Sequence, residues 1–253
     1  MSLRLRSASL VFAGIFCISL VVMAPASLLS AQLEGYSGGR LLLAGTRGTL
    51  WNGSGVLLFA ADTQYVSLGE YAWRLQPAEL LSGGMEFEVK RGVDASPMRV
   101  RYEPLRQAAQ LSQWHTTLPA QVLAVLAPQL RPYQLNGEIE LRAESVSFSQ
   151  NGIAGEAKVD WLQAGSGLTD VYPLGDYRIL LEGGGRGLSV QLSTISGKLH
   201  LTGSGQMQPG HGLSFKGTAQ AANGEQQEGL SELLHHVGPE ISPGVFSLGL
   251  VAQ

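Results

Sequence analysis

The stretch LSVQLSTISGKLHLTGSGQM, residues 188–207, decides the fold. Leu188, Val190 and Leu192 fall on one parity, and Ser189, Gln191 and Ser193 on the other. Successive side chains of a strand point to opposite faces, so this pattern makes one apolar and one polar face. Ile195, Leu199, Leu201 and Met207 continue on the opposite parity. A phase slip of that kind near Ser193-Thr194 predicts a turn or a β-bulge.

The same alternation recurs along the chain. Ile153, Ala157, Val159 and Trp161 alternate with Ala154, Glu156, Lys158 and Asp160. Leu213, Phe215, Ala219 and Ala221 alternate with Ser214, Lys216, Thr218 and Gln220. Met98, Val100 and Tyr102 face away from Arg99 and Arg101, as Ile139, Leu141 and Ala143 do from Glu138, Glu140, Arg142 and Glu144. Buried parallel strands would read as unbroken apolar runs, so an antiparallel meander is expected. The 33 glycines in 253 residues fit many tight turns, because glycine reaches φ > 0 without steric penalty. Segments 164–175 and 183–187 are read as such turns. A net charge of −3, with no basic patch interleaved with aromatics, gives no reason to expect nucleic acid.

Helical signals are few. QPAELLSGG (76–84) reads as one turn ending at glycine, and LPAQVLAVLAPQL (118–130) as a short helix started near Pro119 and limited by Pro128. EQQEGLSELLHHVGPE (225–240) puts Leu230, Leu233, Leu234 and Val237 on one face before Gly238-Pro239. Three short helices cannot cover the apolar face of so many strands. That face is left to be buried by the sheet itself, by a partner or by an apolar ligand.

From Ser7 to Leu33 there is no charged side chain, while Arg4 and Arg6 precede the run. About 20 apolar residues span a bilayer core, and positive residues stay cytoplasmic. The reading is a cytoplasmic 1–7, a transmembrane anchor over 8–31 carried by Val11, Phe12, Ile15, Phe16, Ile18, Leu20, Val21 and Val22, and an exported 32–253. Ala24-Pro25-Ala26 loosely matches a leader cleavage site, but the run exceeds a 7–15-residue signal core. An uncleaved anchor is therefore favoured. The single cysteine, Cys17, lies inside the run as a small apolar residue, so the exported part forms no disulfide.

GTLWNGSG (48–55) admits several readings. Asn52-Gly53 between apolar flanks is a strong hairpin-turn signal, with Trp51 at a strand end against the apolar face or the headgroups. Asn52-Gly53-Ser54 is a glycosylation sequon only in a eukaryotic secretory route. Chemistry-bearing motifs are weak. Gly197-Lys198 lacks the upstream glycine of a phosphate loop, and Gly183–Gly187 opens a strand instead of a helix. Ser37 in GYSGG lacks the strand-then-helix setting of a nucleophile elbow. His115, His200, His211, His235 and His236 form no ligand motif, and His235-His236 suit a helix end. Glu138, Glu140 and Asp160 read as solvated strand positions. No catalytic, cofactor or metal site is expected, and the chain is read as a non-enzyme.

The anchor ending MAPASLL, the hairpin carried by Gly48, Thr49, Leu50, Trp51, Asn52 and Gly53, and YAWRLQPAELLSGG (71–84) resemble the type II secretion system protein N family. LPAQVLAVL followed by LNGEIELRAESVSF (118–148) extends the resemblance, which runs from residue 1 to about 220. It implies a single-pass protein of a Gram-negative inner membrane. Its periplasmic β-rich domain would serve export of folded periplasmic proteins across the outer membrane. Other secretion subunits are the implied partners, the inner-membrane platform and the secretin among them. The pattern from Trp73 through Leu75, Pro77, Leu80, Leu81 and Gly83 also resembles AsmA-like proteins, whose apolar β grooves are associated with lipid transfer. The expected fold is mainly β: an N-terminal transmembrane helix, then a curved, mostly antiparallel sheet with a few short helices. The alternative to a secretion subunit is a periplasmic module binding lipid in an apolar groove.

Overall fold

The computed structural model describes residues 16, 19–61, 64–76, 79, 83–92, 96–126, 128–150, 152–185, 187–208 and 212–252. The chain divides into two compact units, one of residues 1–76 and 87–95, the other of 77–86 and 96–253.

In the first unit, strands β1 (Leu41–Gly48), β2 (Asn52–Ala61) and β3 (Gln64–Gln76) pair antiparallel in sequence order. Most of β4 (Met85–Arg91), next to β3 in sheet order, also belongs to this unit. Helix α1 (Ser27–Tyr36) packs on β1. The pairing of Ala60 N–H with Arg40 C=O points the backbone N–H and C=O groups of Leu41 and Leu43 to the edge, away from β2. Serines take the place of a further strand there. Ser37 Oγ accepts from Leu41 N–H at 2.9 Å and Ser30 Oγ donates to Leu43 C=O at 2.8 Å. Covering an edge in this way removes a template for unwanted strand pairing. The small core is Ala26, Leu43 and Trp73, with Leu29, Leu33, Leu57, Phe87 and Val89 packed around it.

The N-terminal segment differs from expectation. No described helix is long and apolar enough to cross a membrane. Phe16, Leu20, Val21 and Val22 are helical and exposed, while Val11, Phe12, Ile15 and Ile18 lie outside the described residues. The helix does not continue through 24–31 as one span. Pro25 forms a β-bridge with Thr49, and Ala26 is 2% exposed in the core. Proline cannot donate the helical hydrogen bond, and the bridge to the hairpin takes over.

The second unit is a run of antiparallel neighbours: β5 (Met98–Glu103), β6 (Ala108–Pro119), β7 (Asn136–Ser149), β8 (Gly152–Gly165), β9 (Gly175–Gly185), β10 (Leu188–Gly197), β11 (Leu199–Gln208) and β12 (Gly212–Ala221). After helix α3 (Gly224–Val237) and the short β13 (Glu240–Ser242), β14 (Val245–Ala252) pairs with β12, and β13 folds onto its far side. The expected antiparallel meander is therefore present, and the phase slip in β10 is a register shift between Thr194 and Ser196. Glu144 is a second inserted residue, between the pairs Ala143–Ala157 and Ser145–Glu156, and it lets Val146 follow Ala143 into the interior. The alternation fails at the end of β5. Tyr102 is exposed, whereas Arg101 is held by Glu79 at 3.0 Å and Glu103 at 3.2 Å.

α3 lays Leu230, Leu233 and Leu234 on Tyr177, Leu199, Ala219 and Phe246. Its first turn is capped by Asn223 Oδ1, which accepts from Gln226 N–H at 3.2 Å. At its end His235 Nδ1 and His236 Nδ1 donate to the carbonyls of Ser231 and Glu232 at 2.7 and 2.9 Å, as expected of a helix terminus. The helix expected over 118–130 is shorter. Leu118 and Pro119 stay in β6 opposite Ile139 and Glu138, helix α2 covers Gln121–Leu126, and Pro128–Tyr133 form a 3₁₀ turn. The ladder with β7 holds the first two residues more firmly than helix propensity does.

Candidate functional site

The β1–β2 hairpin and the exit of the apolar segment form one built structure. Asn52-Gly53 is not the turn. Both residues belong to β2, and with Gly48 opposite Gly53 the connection is Thr49–Asn52, closed by Thr49 N–H donating to Asn52 C=O at 2.9 Å, with Leu50 and Trp51 at its centre. Gly48 supplies the positive φ, +85°. Gly53 serves close approach instead. A Cβ there would stand 2.5 Å from the Arg47 carbonyl, 2.7 Å from Trp73 Cζ2 and 2.9 Å from the Thr49 carbonyl. Gly53→Ala is accordingly expected to destabilise the first unit by about 1–3 kcal/mol, read as lost amide protection in 41–61. Wild-type protection there would refute the packing role.

The turn residues bond outward. Leu50 N–H donates to Ala24 C=O at 2.8 Å, and Ala26 N–H donates to Gly48 C=O at 3.2 Å. Trp51 Nε1–H donates to Val21 C=O at 2.8 Å, occupying a carbonyl at the end of the apolar helix. Trp73, 5% exposed, donates from Nε1 to Leu50 C=O at 3.1 Å, and Leu75 N–H donates to Trp51 C=O at 2.6 Å. Residues 21–26 are thus clasped by the hairpin and buttressed by β3. Of the pattern from Trp73 through Gly83, Trp73 and Leu75 are buried and Gly83 sits in a turn at φ +80°, while Pro77, Leu80 and Leu81 lie outside the described residues.

In the second unit the polar faces of β6–β9 carry cross-strand pairs. Asp160, expected to be solvated, is 5% exposed because Arg178 of β9 forks onto it, Nε–Oδ1 at 2.7 Å and Nη2–Oδ2 at 2.9 Å. The guanidinium holds the Asp160 carboxyl below the usual carboxylate range, against burial, which raises it. Glu140 is held down likewise, first by its hydrogen bond from Arg142 and then by the one from His115. A depressed carboxylate stabilises the fold above its unfolded pKa and loses that contribution as pH falls through the folded one. Asp160→Asn should lower stability at neutral pH by about 1–3 kcal/mol and flatten the acid limb of the urea midpoint against pH. An acid limb identical to wild type would contradict it.

The remaining candidates are structural. Ser37 follows a helix and precedes a strand, the reverse of a nucleophile elbow, and its hydroxyl caps backbone groups. No group of three or more His, Cys, Asp or Glu among the described residues is placed to hold a metal ion. Open cavities of about 560 and 500 Å³ lie over β9–β12 and are lined largely by the polar face, with Gln191, Ser204 and Lys216 in both.

The family model of the type II secretion system protein N matches residues 39–249. The chain belongs to that family. No curated protein and no solved structure matches it. The match supports an accessory role in type II secretion, with other subunits of that system as partners.

Proposed function

We propose that this protein is a non-enzymatic accessory subunit of the type II secretion system, tethered to the inner membrane by the segment before Ala24, with its strands in the periplasm. There it supports export of folded periplasmic proteins through contacts with the inner-membrane platform and the secretin. The family match over 39–249 carries this reading. The clasp adds to it, since a sheet bonded to residues 21–26 has no loose linker there. Deleting the gene and assaying secreted enzymes, with in vivo crosslinking from the strands, tests it. A secretion defect and crosslinks to other subunits are expected. Normal secretion with no crosslinks would overturn it.

A second reading, a lipid-binding module, draws on the apolar face. Leu141, Leu181 and Val190 are only half-buried and belong to none of the core clusters. Mass spectrometry of an organic extract of the purified full chain tests it. Stoichiometric lipid lost in a Leu181→Ser variant supports it, and its absence removes it.

A further inference from the structure

On the side of the first unit's strands away from Trp73, the tip of the hairpin gathers cations. Arg47 lies opposite Ser54, and Asn52 lies opposite Arg74. Trp73 and Gly53 face the core, so Asn52, Ser54 and Arg74 face the other way, and Arg47 shares their side through its pairing with Ser54. Two strand spacings and two residues put the Arg47 and Arg74 backbones about 12 Å apart, with Asn52 and Ser54 between. Long side chains bridge such a gap. Both arginines and Asn52 are exposed. Neither guanidinium has an ion-pair or hydrogen-bond partner among the described residues. Gln76 donates to Glu88 at 3.2 Å, so that carboxylate shares this side, and Lys90 already pairs with it at 3.3 Å.

The surroundings select the anion. The same tip holds Val21 through Trp51 and Ala24 through Leu50. Phe16, Leu20, Val21, Val22 and Met23 immediately before it are 56–75% exposed apolar residues. An apolar helix, a half-buried indole and then free guanidinium groups follow the order of hydrocarbon, interface and headgroup. Arginine's planar fork matches phosphate oxygens, and Asn52 adds a neutral donor.

We propose that Arg47, Asn52 and Arg74 bind the phosphate of an anionic phospholipid headgroup in the leaflet from which the chain emerges. This rests on the membrane-tethered reading. Carbonate extraction of membranes tests that reading by itself. The site is tested separately, by native mass spectrometry of the detergent-solubilised full chain titrated with phosphatidylglycerol or phosphatidylcholine. The wild type should prefer phosphatidylglycerol by on the order of tenfold. Arg47→Gln/Arg74→Gln should abolish the preference, and Arg47→Lys/Arg74→Lys should restore part of it. Arg40→Gln, ahead of the opposite end of β1, should leave it intact. Equal binding of both lipids, a preference surviving the glutamine pair, or no rescue by lysine would overturn the site. So would inorganic phosphate binding as tightly as the lipid. A protein released by carbonate that still shows the preference would refute the tether and not the site.

Discussion

Trp73→Ala is expected to destabilise the first unit by about 3–5 kcal/mol, the cost of emptying a buried indole site. The side chain is 5% exposed, covers Gly53, and packs with Ala26 and Leu43. Its Nε1–H also supports Leu50, which in turn holds Ala24. The loss therefore acts twice, on the core and on the clasp. Typical domains are stable by only 5–15 kcal/mol, so the unit would stand near its limit. Hydrogen exchange should show residues 41–61 losing protection while 136–221 keep theirs. Equal protection in mutant and wild type would contradict the role given to Trp73.

Leu234→Ala should be comparably severe in the second unit, about 2–5 kcal/mol. Leu234 is 0% exposed, like Leu230, and joins α3 to Tyr177, Leu199, Ala219 and Phe246. Strands alone leave the apolar ends of β9, β11, β12 and β14 open, and this helix covers them together with Leu168, Val171 and Leu174 of the connection before β9. The urea midpoint of the second unit should fall, followed by intrinsic fluorescence in a Trp51→Phe/Trp114→Phe background that leaves Trp161, whose ring lies 5.7 Å from that of Tyr177, as the reporter of this unit. A midpoint unchanged from wild type would show that the helix contributes little.

Strands were the legible part of this molecule. The period of two in 188–207 and 153–161 reports a face, and a face follows from the backbone geometry alone. The slip at Thr194 was readable for the same reason. Long-range bonding was not readable. Asn52-Gly53 has the composition of a turn, yet Gly53 is small because Trp73, twenty residues later, lies on it. Ala24-Pro25-Ala26 looked like the tail of a hydrophobic span because hydropathy carries no sign of a β-bridge to Thr49. Asp160 sat on a polar parity, and only the pairing of β8 with β9 reveals the arginine that buries it.

The hairpin's hold on residues 24–26 requires that they remain in the mature protein, and intact-mass analysis of the protein recovered from membranes measures this. The recovered chain should retain Ala24-Pro25-Ala26 together with the apolar residues before them. A mature chain beginning at Ser27 would contradict it, because Leu50 and Trp51 would then have lost their partners at Ala24 and Val21.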